Sequence, residues 1–355
     1  MMRHGGDIYR NTVRYDFSVN VNPLGMPASC REAAKRGVDL SEHYPDVSCD
    51  ALKSKIIESK MTQSCQLSQE QIIIGNGAAE LIYSLGRALN PENVAVFAPA
   101  FTEYARAAEL AGARLSYVLL RETDDFNISI GRAVKELEAQ APELVFICNP
   151  NNPTGTLYSP DYMLELADWC DRHNSHLVVD ECFLPFCEDE DELTMLSHIK
   201  EKNSLIILGA FTKIYAMAGL RLGYAICADS AIAGKIREQL QPWNVSIPAM
   251  HAGLAALNET TFVEETRHFI KREKEVLVNK LKQIASESDI IEKVYPSEAD
   301  FVLFKGKRGI KQSLLEKGIL IRECGDFYGL DDSFYRVAVR PEAEREKLIE
   351  AMRDI

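Results

Sequence analysis

The sequence predicts an α/β fold in which a mostly parallel, seven-stranded sheet is sandwiched by helices and followed by a smaller α+β domain. Three observations predict this fold. Short apolar runs alternate with stretches of helical periodicity through the middle of the chain. The apolar runs are almost continuous, as expected for strands that are buried on both faces. After about residue 245 of the 355 the pattern changes to a long charged helix and shorter elements.

The predicted strands of the large sheet are rich in β-branched residues and are bounded by turn residues. They are QIIIG (71–75), NVAVFAP (93–99), RLSYVLL (114–120), ELVFICN (143–149), HLVVDE (176–181), SLIILGA (204–210) and LGYAIC (222–227). Helices are predicted between most of them, for example at 78–89 and at 159–173. The second of these helices has Ser159 as its N-cap and Pro160 at its first helical position.

The C-terminal third predicts a helix at 261–284, strands at FVLFKG and YRVAVR, and a closing helix at EAEREKLIEAMRDI. The first 45 residues are predicted to be irregular, with NVNPLGMP as a turn-rich arm. We therefore divide the chain into three parts. Residues 1–45 are an N-terminal arm and part of the small domain, 46–245 are the large cofactor-binding domain, and 246–355 are the small C-terminal α+β domain.

The charge and cysteine content narrow the classes of partner. The net charge is -13, so nucleic acid and anionic membranes are not expected partners, and an anionic small substrate would need a local cluster of cations. The nine cysteines form no C-x-x-C pair, and the stretch MMRHGGDIYR has no apolar core of a signal peptide. We therefore expect reduced thiols and a cytoplasmic protein. No metal site is predicted, because zinc-type spacing is absent and the acidic run CEDEDEL indicates a solvated loop.

Ligands of open α/β sheets bind beyond the carboxyl ends of the strands, so the residues that follow each strand are the candidates for a site. Gly77, Ala78 and Ala79 follow the first strand and begin a helix. They form either an anion site made of free N–H groups or merely a tight turn. Phe101 follows the next strand and either stacks on a ligand or packs in the core.

Polar residues follow three further strands of the predicted sheet. The loop NPNNPTG offers the amide of Asn152, and Asp180 ends a buried strand, where a carboxylate either pairs with a ligand or caps a neighbouring helix. Lys213 and Arg221 follow the strand 204–210 and are either exposed loop residues or a buried amine and guanidinium. A desolvated lysine beside another cation is a nucleophile toward carbonyls, and an arginine suits phosphate.

One cofactor uses all of these groups. Pyridoxal 5'-phosphate has an aldehyde, a ring nitrogen, a phenolic oxygen, a flat ring and a phosphate. A carboxylate beside the ring nitrogen keeps that nitrogen protonated, so that the ring can accept an electron pair from a substrate carbon.

The motifs GNGAAE, NPNNPTG, VVDECF and FTKIYAMAGLRLGY resemble those of fold type I pyridoxal-phosphate enzymes, the aspartate aminotransferase superfamily of class I and II aminotransferases. The resemblance covers nearly the whole chain in the right order. Within this superfamily the chain resembles threonine-phosphate decarboxylases of cobalamin biosynthesis and histidinol-phosphate aminotransferases. It is more similar to the decarboxylases through HGGDIYR, YDFSVNVNPLGMP, HYPD, QPWNVS and ILIRECGDFYGLDDSFYRVAVR. Phe183 stands where the aminotransferases usually have a tyrosine.

The resemblance implies a role for each site residue. It implies that Lys213 holds the cofactor covalently and that Asp180 pairs with the ring nitrogen. Around the rest of the cofactor it implies Asn152 at the phenolic oxygen, Phe101 on the ring, and Thr212, Arg221 and the amides of Ala78 and Ala79 at the phosphate. Tyr44 is implied to reach the phosphate in a neighbouring subunit, which predicts a homodimer with shared active sites. For the substrate, the resemblance implies that Arg336 and Arg322 bind its carboxylate. It also implies that the arm closes over the substrate at His4, Gly6 and Asn20.

Two departures from the superfamily's pattern are visible. Ala210 stands three residues before the lysine, where a serine or threonine is usual, so one phosphate-binding hydroxyl is missing and weaker cofactor binding is expected. The loop WNVS replaces the usual WSVN, so that Asn244 and Ser246 are exchanged.

The resemblance implies decarboxylation of L-threonine O-3-phosphate to (R)-1-aminopropan-2-ol O-2-phosphate, with Lys213 and Asp180 as catalytic residues. Two alternatives stay open at this point. One is a histidinol-phosphate or other amino-acid aminotransferase, which breaks the Cα–H bond in the same site. The other is a non-catalytic relative that binds the cofactor for regulation.

Overall fold

The chain has two main sheets, and the computed structural model describes residues 5–59 and 65–355. The strands are β1 (Tyr15–Asp16), β2 (Ile72–Gly75), β3 (Asn93–Ala98), β4 (Arg114–Leu119), β5 (Leu144–Cys148), β6 (His176–Asp180), β7 (Leu205–Ala210), β8 (Gly223–Cys227), β9 (Ile291–Val294), β10 (Phe301–Gly306), β11 (Ile319–Leu320), β12 (Arg322–Glu323) and β13 (Phe334–Ala338). The large sheet has seven strands in the order β2-β8-β7-β6-β5-β3-β4, and all seven predicted strands are confirmed.

The helices lie between and after these strands. They are α1 (Ala28–Asp39), α2 (Asp50–Glu58), α3 (Ala78–Leu89), α4 (Thr102–Leu110), α5 (Ile130–Gln140), α6 (Pro160–Arg172), α7 (Glu190–Leu193), α8 (Phe211–Ile214), α9 (Ser230–Glu238), α10 (Ile247–Ala256), α11 (Thr260–Glu287), α12 (Ile310–Glu316) and α13 (Glu342–Arg353). The predicted N-cap of α6 is confirmed, because the Ser159 hydroxyl accepts the Tyr162 N–H. Within the described ranges, no helix is long and apolar enough to span a membrane.

The strands of the large sheet are apolar on both faces because helices cover both sides of it. Val94 and Val96 belong to one hydrophobic cluster, whereas Ala95 and Phe97 of the same strand belong to the other. Such double burial explains why the sequence shows unbroken apolar runs instead of alternation. The α/β fold class with a mostly parallel sheet is confirmed.

One strand of this sheet, β8, runs antiparallel to both of its neighbours, β2 and β7. Ala210 at the end of β7 pairs with Gly223 at the start of β8. The connection between them, residues 211–222, therefore begins and ends on the same side of the sheet, at the carboxyl end of β7. This connection contains Lys213 and Arg221, and it holds both residues at the carboxyl end of β7.

The smaller sheet is antiparallel, in the order β12-β13-β10-β9. The N-terminal arm lies beside it: β1 pairs in parallel with β11 in a separate two-stranded sheet, and the Phe17 carbonyl accepts the N–H of Ala338 in β13 at 2.9 Å. The guanidinium of Arg340 also donates to the Asp16 carbonyl. These contacts fix residues 15–20 beside the small sheet.

The prediction that the first 45 residues are irregular is wrong in one part, because α1 is a helix. Its buried face is made of small residues, Cys30, Ala33 and Gly37, and it packs against α10. A methyl group on Gly37 would lie 2.7 Å from the Cα of Pro248, so the two helices approach closely. The sequence signal is weak because this helix is stabilised by packing and not by an extended apolar stripe.

Candidate active site

A cavity of about 220 Å³ lies beyond the carboxyl ends of β5, β6 and β7, where Cys148, Asp180 and Ala210 reach its wall. Helices α3 and α4, the N-terminal arm and the small sheet close its other sides. The predicted site residues that line it are Asn20, Ala78, Ala79, Phe101, Asn152, Asp180, Thr212, Lys213, Arg221, Arg322 and Arg336. The fold therefore brings together residues from most of the length of the chain.

The start of α3 forms the anion-binding end of the cavity. Gly77 has φ +82°, and a methyl group on it would lie 2.7 Å from a guanidinium nitrogen of Arg221, so only glycine allows this approach. Ala78 and Ala79 lie in the first turn, where backbone N–H groups have no helical acceptor. These N–H groups, the Arg221 guanidinium and Thr212 can hold a phosphate.

The amine of Lys213 enters the cavity from α8, 5.8 Å from the centroid of the Phe183 ring. Burial lowers the pKa of Lys213, and the charges of Arg336 and Arg221 lower this pKa further, whereas Asp300 opposes them. A lysine with a lowered pKa is more often neutral and therefore a better nucleophile toward a carbonyl.

The carboxylate of Asp180 is held at the end of β6 by two donors. Its Oδ1 accepts the Cys182 N–H at 3.0 Å, and its Oδ2 accepts the Tyr104 hydroxyl at 2.5 Å. Burial raises the pKa of Tyr104 well above its usual value, so this phenol stays protonated and can only donate to the carboxylate. The alternative that Asp180 only caps a helix finds no support in these contacts.

Asn152 and Arg336 are joined in a way that fixes the orientation of the amide. Nη1 of Arg336 donates to Oδ1 of Asn152, and Nη2 donates to the Ser18 carbonyl at 2.9 Å. Because a guanidinium only donates, the Asn152 oxygen must face it, and the Asn152 NH₂ is left to donate elsewhere. Burial lowers the pKa of Arg336 to about 10, so this side chain remains a cation at neutral pH.

Arg322 lies opposite Arg336 across the β12–β13 pair and also lines the cavity. Its Nη2 donates to both carboxylate oxygens of Asp326, at 2.7 and 2.8 Å. Its guanidinium also stacks on Phe327, 5.1 Å from the ring centroid. Arg322 is therefore already paired with a carboxylate of the protein.

Only some of the site residues predicted in the N-terminal arm and the HYPD segment line the cavity. Asn20 lines the cavity, and its buried Oδ1 has no partner among the described residues. Gly6 donates its N–H to the Ser18 hydroxyl but does not line the cavity, whereas Gly5 does. His4 lies outside the described residues. Tyr44 is 79% exposed. It stacks on Trp243 and does not line this cavity.

The structure accounts for the WNVS loop, one of the two departures from the superfamily's sequence pattern. The Ser246 hydroxyl caps α10 by accepting the Ala249 N–H, and the Asn244 amide donates to Glu80 at 2.6 Å. In the WNVS loop each of these side chains therefore has a structural role. Ala210 lines the cavity without a hydroxyl group, as the sequence indicates.

Three further residues contribute that the sequence reasoning missed: Tyr104, Asp326 and Asp300. Tyr104 carried a weak signal, since it lies three residues after Phe101, on the same face of a helical turn. Asp300 is 1% exposed, its Oδ1 has no partner among the described residues, and burial raises its pKa to about 6 against the opposing charges of Lys213 and Arg336. No local pattern distinguished it.

The residues present fit pyridoxal phosphate. A buried amine can bind its aldehyde, a doubly held carboxylate can meet its ring nitrogen, and an oriented amide can donate to its phenolic oxygen. The helix start with Arg221 offers donors for its phosphate. Oδ1 of Asn20 and Nε of Arg336 have no hydrogen-bond partner in the part of the chain that the structure describes, so both can bind a substrate at the opposite end of the cavity.

Comparisons with known proteins agree with this fit. The model of the family "aminotransferase class I and II" matches residues 14–353. A threonine-phosphate decarboxylase of Salmonella typhimurium is 34% identical over 345 residues, which are 96% of this chain and 90% of that protein. Histidinol-phosphate aminotransferase 2 of Archaeoglobus fulgidus is 32% identical over 343 residues, 96% and 92% of the two chains. The crystal structure of the histidinol-phosphate aminotransferase from Clostridium acetobutylicum has 31% identity and a TM-score of 0.86, over 96% of this chain and 98% of that one. The similarity extends over nearly the whole chain, and the relatives' names divide between two reactions.

Proposed function

The chain belongs to the class I and II aminotransferase family of pyridoxal-phosphate-dependent enzymes, and we propose that it decarboxylates L-threonine O-3-phosphate to (R)-1-aminopropan-2-ol O-2-phosphate, a reaction of cobalamin biosynthesis. One observation carries the proposal. Arg322 and Arg336 lie directly opposite each other on neighbouring strands and line the same cavity as Lys213. Like charges in such a cross-strand pair repel. In the protein alone Asp326 offsets the charge of Arg322, whereas the hydrogen-bond acceptors of Arg336 are neutral, so a ligand with one anionic group for each arginine is the natural complement. Phosphothreonine has two such groups, a carboxylate and a phosphate.

The residues divide into a cofactor end and a substrate end. When bound, pyridoxal phosphate supplies an acceptor for the electron pair that departing carbon dioxide leaves on Cα. Lys213 would hold the cofactor through its amine, and Asp180 would keep a proton on the ring nitrogen. Phe101 would cover the ring, while Thr212, Arg221 and the start of α3 would bind the phosphate.

The phenolic oxygen of the cofactor distinguishes this site from a plain aminotransferase site. Phe183 lines the cavity and carries no hydroxyl group, so it cannot donate to that oxygen. The NH₂ of Asn152, whose oxygen faces Arg336, is then its main side-chain donor.

At the substrate end, the two arginines take different anionic groups. Arg336 contacts Asn152, so it would lie beside the ring of the bound cofactor and would bind the carboxylate on Cα. Arg322 binds the phosphate further out, and Asn20 of the arm closes over the substrate. Charge-assisted hydrogen bonds of this kind orient the carboxylate for loss.

A histidinol-phosphate aminotransferase is the second candidate, because a relative of that name is 32% identical over 96% of this chain. It would use the same cofactor end, but it would break the Cα–H bond and need a keto acid to accept the amino group. The sequence relatives support both reactions, so the assay must separate them.

The test uses purified holoenzyme and phosphothreonine without a keto acid. We expect release of carbon dioxide, no release from the Lys213→Ala variant, and much slower release from free threonine, because Arg322 would lose its phosphate. The parallel reaction contains histidinol phosphate and 2-oxoglutarate. Amino transfer there, with no carbon dioxide from phosphothreonine, would refute the decarboxylase assignment in favour of the aminotransferase.

We also propose that the protein is a homodimer that shares its active sites. Several large hydrophobic side chains between residues 38 and 47 are exposed, namely Val38, Leu40, Tyr44 and Val47, and so is Trp243. Tyr44 and Trp243 stack with ring centroids 4.5 Å apart, and Leu40 and Tyr44 line one surface pocket. Exposed apolar side chains that lie together favour contact with another chain. In such a dimer Tyr44 would reach the cofactor phosphate of the second subunit.

Complementation tests the shared site. The variants Tyr44→Ala and Lys213→Ala are each expected to be inactive, and mixing them should restore one intact site in each heterodimer. Size-exclusion chromatography and differently tagged chains would establish that the heterodimer forms. Heterodimers without any activity would contradict the assignment of Tyr44.

A further inference from the structure

The contact between Arg322 and Asp326 occupies a residue that the proposed function assigns to the substrate. One guanidinium nitrogen, Nη2, is bound by both oxygens of Asp326, at 2.7 and 2.8 Å. Arg322 is 6% exposed and Asp326 25%, so the carboxylate keeps contact with solvent while the guanidinium is buried. The pair therefore lies at the border between the cavity and the surface.

The two cavity arginines differ in this respect. Arg336 is bound by an amide oxygen and a backbone carbonyl, which are neutral acceptors. Arg322 is bound by a carboxylate, which cancels most of its charge. Among the described residues, Nε and Nη1 of Arg322 have no hydrogen-bond acceptor. An incoming anion can thus meet Arg322 only beside, or in place of, the carboxylate of Asp326.

We propose that Asp326 is a specificity-determining residue, an internal anion with which the phosphate of the substrate must compete for Arg322. This inference rests on the proposed function insofar as it assumes a phosphorylated ligand at Arg322. A phosphate dianion binds the guanidinium more strongly than a carboxylate does and can take its place, whereas a neutral hydroxyl group cannot. Because the product keeps the phosphate, the same competition also speeds its release.

The fold allows the carboxylate to move when the phosphate arrives. Asp326 lies in the turn between β12 and β13, and its partly exposed side chain can be solvated by water once it leaves the guanidinium. The neighbouring Gly325 lies close to Asp332, whose Oδ1 would be 2.0 Å from a methyl group at that position. Asp332 is therefore a second carboxylate of the same turn, next to Gly325.

The test measures binding of inorganic phosphate to the holoenzyme by isothermal titration calorimetry at low ionic strength, with the cofactor's own phosphate filling the site at α3. Asp326→Asn keeps an acceptor for Nη2 but removes the charge. We expect it to lower the dissociation constant for phosphate roughly tenfold, the scale of one partly screened charge interaction. Asp332→Asn removes the same charge from the same turn and should leave the constant unchanged.

A double variant separates an effect at Arg322 from a general change of surface charge. In Asp326→Asn combined with Arg322→Met, the gain in phosphate affinity should disappear. An unchanged or weaker affinity in Asp326→Asn with unchanged melting temperature would overturn the proposal. A gain that survives the loss of Arg322, or that Asp332→Asn reproduces, would overturn it as well.

The outcome does not depend on the reaction that the enzyme catalyses, because phosphate binding requires no turnover. If the holoenzyme releases no carbon dioxide from phosphothreonine and Asp326→Asn still tightens phosphate binding, the decarboxylase proposal fails and this inference stands. If the decarboxylase proposal and this inference are both correct, Asp326→Asn should lower the KM for phosphothreonine and leave the KM for free threonine unchanged.

Discussion

Replacing Tyr104 by phenylalanine removes a single oxygen from the wall of the active-site cavity. The lost hydroxyl donates to Oδ2 of Asp180 at 2.5 Å, and the ring of Tyr104 is fully buried against Phe146. Phenylalanine fills the same space, so packing should be preserved. Among the described residues, the carboxylate of Asp180 would then keep as donors only the N–H and the thiol of Cys182.

The size of the effect follows from the charge of the acceptor. A hydrogen bond to a charged group contributes about 1.5 to 3 kcal/mol, so the ionised carboxylate should lose about 2 kcal/mol of stabilisation. If this loss is carried fully to the protonated ring nitrogen, kcat falls up to about 30-fold, since 1.36 kcal/mol corresponds to a factor of ten. KM should change little, because the hydroxyl of Tyr104 binds Asp180 and not Arg322 or Arg336.

Two measurements separate a role through Asp180 from a purely structural one. The first is kcat with the substrate proposed above, and the second is the pH titration of the visible absorption of the bound cofactor, which needs no substrate. Tyr83→Phe is the matched control, because the hydroxyl of Tyr83 donates to the carboxylate of Glu103 and Tyr83 does not line the cavity. If Tyr104→Phe changes kcat and the titration no more than Tyr83→Phe does, the reasoning is refuted.

Three further predictions concern single residues. Lys213→Ala should lose the visible absorption of covalently held cofactor, and borohydride should label the wild-type peptide that contains Lys213; a label on another peptide would contradict the assignment. Asp180→Asn should fold, as judged by circular dichroism, but lose most activity, because an amide cannot stabilise a protonated ring nitrogen and several kcal/mol of electrostatic stabilisation are lost; near-normal rates would make Asp180 structural. Burial raises the pKa of Glu181 to about 7, so the folded protein keeps a proton that the unfolded chain loses near pH 4.5. The contribution of Glu181 to stability should therefore decrease by up to about 3 kcal/mol between pH 4.5 and 7, and in urea unfolding Glu181→Gln should show a smaller decrease than the wild type by that amount, whereas an equally steep decrease in the variant would count against it.

The local pattern of the sequence was sufficient for the elements of the large sheet. Strands such as 143–149 and 176–181 could be predicted because burial on both faces requires continuous apolar runs, and the cap at Ser159 because it depends on residues within one turn. Candidate residues such as Asp180 and Lys213 could be predicted in the same way, since parallel strands place the residues after them along one edge.

The sequence did not reveal features that depend on partners distant in the chain. Helix α1 forms against α10, more than two hundred positions away, and its own residues carry only a weak signal. The antiparallel direction of β8 also escaped the pattern, because an apolar strand has the same composition in either direction.

The same distinction applies within the active site. The identities of Asp180, Arg322 and Arg336 are visible in the chain, but their states are set by Tyr104, Asp326 and Asn152. Tyr104 and Asn152 come from other elements, and Asp326 reaches Arg322 only through the turn after β12. Sequence alone therefore determined which chemical groups this protein has at the ends of its strands. Tertiary structure decided which of those groups are paired, oriented or left free, because hydrogen bonds and charge interactions act over a few ångströms of space, whatever the separation along the chain.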